Sequence, residues 1–287
     1  MSISLRPFAE LTREMIADLE RRMAAFYIHP PPNYYQVADR ASAQYNDQQQ
    51  PFHCDLVNRV NRGMTVLELG CGTAHLCPFI ESRGGVFAGM DYSDELLAEN
   101  RKRYPKARFL SIASKLPELF DLVASLYTIE HVVNPLAYLE KIWTFCRPGG
   151  LIGIICPEFI DSPDNAPSIF YGNTPRRLRE KLKSLSLIDA ISHVADVKLR
   201  APAWKRRAQA SPPGAFWINL QPQVLSGGEY QIDTDAVHMV RRLDLIKFFE
   251  SKGATIIADS SKIAGVSAEV LKYNCYVLAR KGAGTKM

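Results

Sequence analysis

Residues 65–76 read TVLELGCGTAHL, an apolar run that meets a glycine-rich turn and then a helical pattern. Glycines let a backbone approach a ligand closely, and the N-terminus of the following helix presents free N–H groups. Asp91 ends the next predicted strand, about 20 residues after Gly70, where an acid binds ribose hydroxyls in folds of this kind. The stretch therefore predicts a strand-turn-helix unit that holds a nucleoside-containing cofactor.

The glycine turn leaves two cofactors open. A dinucleotide site favours G-x-G-x-x-G, but the position of the third glycine is occupied by His75. Glu68 stands two residues before the turn, where a carboxylate would repel a pyrophosphate and suit the sulfonium and ammonium groups of S-adenosylmethionine. We therefore expect S-adenosylmethionine, with S-adenosylhomocysteine as product, over NAD. A tight turn without a ligand is the third interpretation.

The composition is that of a globular enzyme, with 47% hydrophobic and 23% charged residues. The net charge of +5 is a mild excess spread along the chain, unlike the clustered basicity of a dedicated nucleic-acid binder. The six cysteines contain no C-x-x-C pair, so we expect reduced thiols in a cytoplasmic protein and no metal site. No apolar leader and no stretch of membrane-spanning length is visible.

Strands and helices alternate over residues 63–157 and again over 238–281. This alternation predicts an α/β fold with right-handed β-α-β units: a Rossmann-like, doubly wound seven-stranded sheet, mostly parallel, with an antiparallel last strand. Residues 1–62 are expected to form an N-terminal helical cap, and residues 158–237 a lid inserted after the fifth strand.

Secondary structure is also predicted for three segments outside the alternating region. Residues 5–26 place apolar side chains at helical spacing, and residues 175–193 form a basic helical stretch. Residues 201–214, APAWKRRAQASPPG, contain three prolines and are expected to be irregular.

Four segments together resemble successive motifs of the class I S-adenosylmethionine-dependent methyltransferases, in the small-molecule group with an E-H-V-x-x-P segment. They read VLELGCGTAHL, GMDYSDELL, FDLVASLYTIEHVVNP and FCRPGGLIGIICP. The resemblance implies roles at the cofactor. The methionine end would be lined by Glu68, Gly70, Cys71 and Gly72, the ribose hydroxyls would be bound by Asp91, and the adenine would lie against Tyr92.

The same resemblance implies further cofactor contacts. Ser125 would offer its backbone to the methionine ammonium, and Tyr45 in the ASAQYND stretch would touch the cofactor. Related enzymes often bind the adenine amino group with an acid after the third strand, but Ile112 stands there. We therefore expect the adenine to be held by the backbones of Ile112 and Ala113. Ser114 is a candidate to replace the missing acid.

The acceptor side is predicted from groups that could take a proton. His131 follows the fourth strand and is the first candidate for the base, since a histidine titrates near neutral pH. The alternative is a structural residue at a helix start. Glu158, after the fifth strand, and His238 are further candidates, with a solvated lid residue as the alternative.

Tyr127, Trp217 and Tyr230 are the predicted substrate-binding side chains, because aromatic faces beside acids suit a polyhydroxyl ring; they could equally form the core of the lid. The sequence thus predicts O-methylation of a small molecule or glycan, with no nucleic acid or membrane span as partner and a homodimer left open. An NAD-dependent oxidoreductase, a non-catalytic cofactor-binding subunit and an RNA methyltransferase are the alternatives.

Overall fold

The computed structural model describes residues 4–37, 40, 50–170, 182, 187–227, 229–263 and 265–283. Its contacts divide the chain into two compact units, each assembled from three segments. The small-sheet unit consists of Met1–Ala41, Glu130–Pro135 and Glu158–Asp244, and the large-sheet unit of Ser42–Ile129, Leu136–Pro157 and Leu245–Met287. This division differs from the predicted cap, core and lid, because the predicted cap is shared between the two units.

The large-sheet unit contains the predicted seven-stranded sheet. Its strands are β2 (Thr65–Leu69), β3 (Val86–Asp91), β4 (Arg108–Ser111), β5 (Phe120–Leu126), β6 (Cys146–Pro157), β9 (Thr255–Asp259) and β10 (Asn274–Arg280). They lie in the order β4-β3-β2-β5-β6-β10-β9. The last strand in the chain, β10, runs antiparallel to both of its neighbours, β6 and β9. The predicted fold class is confirmed.

The strand order reverses between β2 and β5, which makes the carboxyl ends of these two central strands the place where an open α/β sheet binds its ligand. β2 is buried along four of its five residues, as its largely apolar pattern predicts. The described α-helices that lie wholly or mostly in the large-sheet unit are α2 (Pro51–Asn58), α3 (Cys77–Ser82), α4 (Asp94–Arg103), α5 (Pro135–Phe145), α8 (Arg242–Ser251) and α9 (Ala268–Tyr273).

The small-sheet unit is built around three short antiparallel strands, β1 (Leu5–Pro7), β7 (Trp217–Asn219) and β8 (His238–Met239). Its described α-helices are α1 (Arg13–Ile28), α6 (Leu187–Ala195) and α7 (Ala201–Ala210). The predicted helix over 5–26 is therefore wrong at its start, because Leu5 pairs with Asn219 in a strand.

The prediction of irregular structure over 201–214 is also wrong for its first ten residues, which form α7. A proline in the first helical turn is compatible with a helix because its missing N–H has no partner there in any case. Trp204 and Ala208, one turn apart, bury the inner face of α7. Of the predicted helix over 175–193, only residues 182 and 187–193 lie within the described residues. No described helix has the length and hydropathy needed to cross a membrane.

Candidate functional site

The turn after β2 is shaped by residues in the left-handed region. Gly70 has φ 73° and Gly72 has φ 48°. A Cβ at Gly70 would lie 2.8 Å from Thr128 Cβ and closer still to the ends of that side chain, so only glycine fits. A Cβ at Gly72 would meet nothing within 4 Å, so the backbone is open to a ligand on this side. Cys71 is buried and its N–H donates to the Met90 carbonyl at 3.0 Å.

Two buried polar atoms beside this turn have no hydrogen-bond partner among the described residues, Glu68 Oε2 and Thr73 Oγ1. Glu68 is only 4% exposed. Burial, with the nearby Asp91 carboxylate adding to it, raises the pKa of Glu68 well above its usual value. An unpartnered carboxyl in this position is a site for a positively charged group.

Asp91 connects the end of β3 to the glycine turn. Its Oδ2 accepts a hydrogen bond from the Gly72 N–H at 2.8 Å, and its Oδ1 accepts one from the Ser93 N–H at 3.0 Å. The neighbouring Tyr92 side chain is 85% exposed, which leaves its ring free to stack on a flat ligand. Asn100 on α4 also supports the turn, because its Nδ2 donates to the Gly72 carbonyl at 2.7 Å.

The prediction for Ile112 needs correction. Its N–H donates to the Asp91 carbonyl at 2.9 Å, and its carbonyl accepts a hydrogen bond from Lys141 Nζ. The Ile112 N–H is therefore already in use and not available to the adenine, while its carbonyl can still accept a second hydrogen bond. The Ala113 N–H makes only a long contact of 3.4 Å to Ser111 Oγ and stays a candidate for the adenine.

The end of β5 is tied to β2 through side chains. The Ser125 and Tyr138 hydroxyls are 2.9 Å apart, and Tyr138 donates to the Leu69 carbonyl at 3.1 Å. Tyr127 has φ 50°, a left-handed conformation that costs energy for a bulky residue and tends to mark functional positions. Its N–H donates to the Ile155 carbonyl at 2.7 Å, which holds it there. Tyr45 lies outside the described residues.

A second cluster of polar side chains lies in the small-sheet unit and centres on His131. His131 Nδ1 is 3.3 Å from Asp235 Oδ2, and its Nε2 is 3.7 Å from Glu130 Oε1. The Asp235 carboxylate is held from both sides, because the Tyr27 hydroxyl donates to Oδ2 at 3.0 Å and the Tyr230 hydroxyl to Oδ1 at 3.1 Å. His131 Nδ1 makes no hydrogen bond among the described residues, so the imidazole lies at ion-pair distance from a fixed carboxylate, an arrangement suited to stabilise a proton taken up by the ring.

The charges of this cluster shift its pKa values. Burial lowers the pKa of His131, but the Asp235, Glu130 and Asp233 carboxylates raise it by more, so the net change is upward. Burial raises the pKa of Glu130 to about 8 and that of Asp233 to about 6, while His131 acts in the opposite direction on both. The cluster therefore titrates across neutral pH, the range useful for proton transfer.

A family model described as a methyltransferase domain matches residues 45–198, more than half of the 287 residues of the chain. The chain belongs to this methyltransferase family. Family membership decides between the two predicted cofactors: S-adenosylmethionine is the cofactor of the methyltransferase. The large-sheet unit fits this group, since the unpartnered Glu68 carboxyl suits its cationic methionine end and the open side of Gly72 leaves room for it.

Curated relatives share only part of the methyltransferase. A ubiquinone biosynthesis O-methyltransferase of Pseudomonas fluorescens (strain Pf0-1) is 30% identical over 104 residues, covering 33% of this chain and 45% of the relative. That of Nitrosomonas europaea is 25% identical over 114 residues, covering 36% and 48%. The chain thus spans about half the length of the curated relatives it matches.

Two solved structures are similar to the methyltransferase in fold. An S-adenosylmethionine dependent methyltransferase from Mesorhizobium loti has a TM-score of 0.50 and 15% identity, covering 82% of this chain and 99% of that one. One from Clostridium acetobutylicum has a TM-score of 0.51 and 11% identity, covering 85% and 99%. At these identities the similarity establishes the fold alone.

The predicted role of Glu158 as an acceptor base needs correction. The residue is 6% exposed, and its two oxygens accept three backbone hydrogen bonds. Oε1 accepts from the Ile160 and Asp161 N–H groups at 3.2 and 3.1 Å, and Oε2 from the Arg242 N–H at 2.9 Å. Burial raises the pKa of Glu158 to about 7 against the effect of these donors. Glu158 therefore organises its own loop and caps the first residue of α8.

Glu158→Gln is expected to lower the free energy of unfolding by about 1–3 kcal/mol, because an amide has one acceptor oxygen where the carboxylate has two. The kcat of the methyltransferase should stay within about twofold, since no proton is taken by this residue. Urea unfolding and initial-rate measurements check the two effects separately. A large fall in kcat with unchanged stability would instead support the role of Glu158 as the acceptor base.

The structure also places the other predicted acceptor residues. His238 is fully buried in β8 with its ring 5.6 Å from that of Phe216, and Trp217 is 1% exposed with its ring 6.1 Å from Trp204. Both predictions need correction, because these side chains belong to the core of the small-sheet unit. Tyr230 is 7% exposed and joins the His131 cluster through Asp235.

Sequence reasoning missed Tyr27 and the pairing of His131 with Asp235. Asp235 lies in the segment DTDAVHM, whose acids the sequence assigns to a polyhydroxyl ring beside the aromatic side chains and not to His131. Its complete burial, 0% exposed, marks it as a paired acid. Asn100 was missed as well, although a polar residue three positions after the buried Leu97 lies on the inner face of α4.

Proposed function

We propose that the chain transfers the methyl group of S-adenosylmethionine to a hydroxyl group of a small molecule or glycan in the cytoplasm. The observation that carries this proposal is the pairing of His131 with a carboxylate that two tyrosines hold in place. A hydroxyl acceptor must lose its proton as it reacts, and a histidine oriented by an aspartate is suited to take it. The name of the matched Pseudomonas relative, an O-methyltransferase, supports the same choice.

The residues assigned to the cofactor have separate roles in this proposal. S-adenosylmethionine, when bound, supplies an electrophilic methyl group on a sulfonium. Glu68 faces the cationic end of the cofactor, Asp91 accepts hydrogen bonds from the ribose hydroxyls, and Tyr92 stacks on the adenine. Because the glycine turn is already closed by Asp91 and Asn100, little order has to be created on binding.

His131 accepts the acceptor's proton, and Asp235 stabilises the imidazolium that forms. Tyr27 and Tyr230 keep Asp235 from rotating away, so that its carboxylate remains beside the imidazole. Placing the base correctly supplies much of the rate, because orientation is fixed before reaction.

The test is methyl transfer itself. The chain is incubated with S-adenosylmethionine and matched acceptors that carry a phenolic hydroxyl, a sugar hydroxyl or the corresponding amine, and S-adenosylhomocysteine is quantified. Turnover with a hydroxyl acceptor, lost on methylation of that hydroxyl, supports the proposal. Turnover only with amines, or cofactor binding without turnover for every acceptor, would reject it in favour of N-methylation or a non-catalytic subunit.

Cofactor affinity is expected to increase with pH through the raised pKa of Glu68, by up to about tenfold per pH unit. Burial raises the pKa of Glu68, and below that pKa the carboxyl is protonated, whereas a cationic ligand favours the ionised carboxylate. Calorimetry with S-adenosylhomocysteine checks the slope. Glu68→Gln should flatten it, and the exposed Glu99→Gln on α4 should not. An unchanged slope in Glu68→Gln would assign the pH dependence to another group.

A further inference from the structure

Three carboxylates surround His131 in the small-sheet unit: Glu130, Asp233 and Asp235. All three carboxylates raise the pKa of His131, and the two aspartates also raise the pKa of Glu130. Among the described residues, no lysine or arginine forms an ion pair with any of them. With all groups ionised, the cluster carries two more negative charges than positive ones.

Aromatic rings adjoin the two aspartates of this group. The Tyr34 and Tyr230 ring centroids are 4.7 Å apart, and Tyr34 is 6.0 Å from Tyr27 and 5.6 Å from Phe26. Tyr27 and Tyr230 are also the residues that bind Asp235. The rings and the two aspartates therefore form one group, which His131 links to Glu130, and the faces of such rings attract cations.

Glu130 gives the independent indication of a missing ligand. The residue is 1% exposed, and its Oε2 has no hydrogen-bond partner among the described residues. A buried carboxylate oxygen without a partner costs free energy, which a positive group beside it would offset. Asp233 is held at φ 63°, a strained conformation that keeps a second acid in the cluster. The cluster is not closed to solvent, because the His131 side chain is 25% exposed.

A metal ion is not indicated, since the described residues contain no group of three metal-ligating side chains in suitable geometry. We propose that Glu130, Asp233 and the surrounding tyrosine rings bind a cationic nitrogen group carried by the acceptor. This inference rests on the proposed function, because it assigns a second chemical feature to the molecule whose hydroxyl is methylated. The acceptor is then an amino alcohol in the broad sense, with an ammonium group near the reacting hydroxyl.

The arriving cation should also displace a proton. Burial holds the pKa of Glu130 at about 8, so the carboxyl is mostly protonated at pH 7. A positive group beside it favours the ionised form, and binding at pH 7 should therefore release up to about one proton.

The experiment compares choline with its neutral carbon analogue 3,3-dimethyl-1-butanol, which has the same shape and hydroxyl. Calorimetry without cofactor is run at pH 7 in two buffers of different ionisation enthalpy, so that both affinity and proton release are measured. Choline should bind about tenfold more tightly than the neutral alcohol and release a proton. Equal affinity of the two probes, or no binding of either, would overturn the proposal.

Variants locate the effect. Glu130→Gln should weaken choline binding about tenfold and abolish the proton release. Asp244→Asn is the matched control, because Asp244 is another buried acid of the same unit, bound to the Gly214 N–H and outside the cluster. Unchanged choline binding in a folded Glu130→Gln variant would overturn the proposal. If that variant does not fold, the wild type still decides: choline affinity must rise between pH 6.5 and 8.5, and a flat profile contradicts the assignment.

These outcomes are independent of turnover. Choline binding without methyl transfer to any hydroxyl would reject the proposed function and keep the cation site. Methyl transfer to hydroxyl acceptors without a preference for cationic probes would do the reverse.

Discussion

Replacing His131 with asparagine is expected to lower kcat by about 10²- to 10⁴-fold, because the acceptor hydroxyl then has no group to take its proton. S-adenosylhomocysteine affinity should stay within about twofold, since the residues assigned to the cofactor belong to the large-sheet unit. Steady-state rates and calorimetry measure the two quantities. His29→Asn is the control, because His29 is an exposed histidine of the same unit that follows α1. A kcat within threefold of wild type in His131→Asn would exclude this residue as the base.

The pH profile tests the same assignment without removing the imidazole. His131 must be neutral to accept a proton, so kcat/KM should rise with pH through its pKa, which lies above the usual value. Asp235→Asn removes a carboxylate that raises this pKa. The acidic limb of the profile should therefore move to lower pH. A limb that stays in place would mean that another group controls it.

Gly70→Ala is expected to destabilise the protein by about 2–5 kcal/mol. The left-handed conformation costs a residue with a Cβ about 1–2 kcal/mol, and forcing a methyl group against Thr128 costs about 1–3 kcal/mol more. Gly72→Ala should lose only the stability that the left-handed conformation costs, because nothing lies within 4 Å of its Cβ position. Urea unfolding of both variants measures the difference.

A double variant separates the two causes at Gly70. Adding Thr128→Ala to Gly70→Ala removes the ends of the side chain that the new methyl group meets, so part of the lost stability should return. The Gly72→Ala variant should gain nothing from the same addition. If Gly72→Ala is as unstable as Gly70→Ala, the contact with Thr128 is not the cause.

Local sequence patterns predict the large sheet well. The segments TVLEL and FDLVASL have the bounds of β2 and β5 to the residue, since a short apolar run between turn residues has few other conformations. Glu68 and Asp91 were found for the same reason: each lies at or beside the end of a strand, so its place in the sheet follows from its place in the chain.

The small-sheet unit shows where local patterns fail. Leu5 pairs with Asn219 and Tyr27 donates to Asp235, contacts between residues some two hundred positions apart. A three-residue strand such as β1 has too little sequence to show a period, and the helical spacing of the apolar residues begins directly after it. The pairing of His131 with Asp235 depends on the same long-range assembly. Its members could be recognised as reactive residue types but not as neighbours.

The position of β10 determines when the large sheet can be completed during synthesis of the chain. β9 leaves the ribosome before β10, yet it joins the sheet only through β10, which separates it from β6. Residues 255–259 are thus synthesised before their pairing partner exists, and β10 must pair with the free edge of β6 on one side and with β9 on the other. During translation, β9 cannot pair in the sheet until residues 274–280 have been synthesised. A ribosome stalled between these two points would hold an unfinished sheet with β6 as its edge.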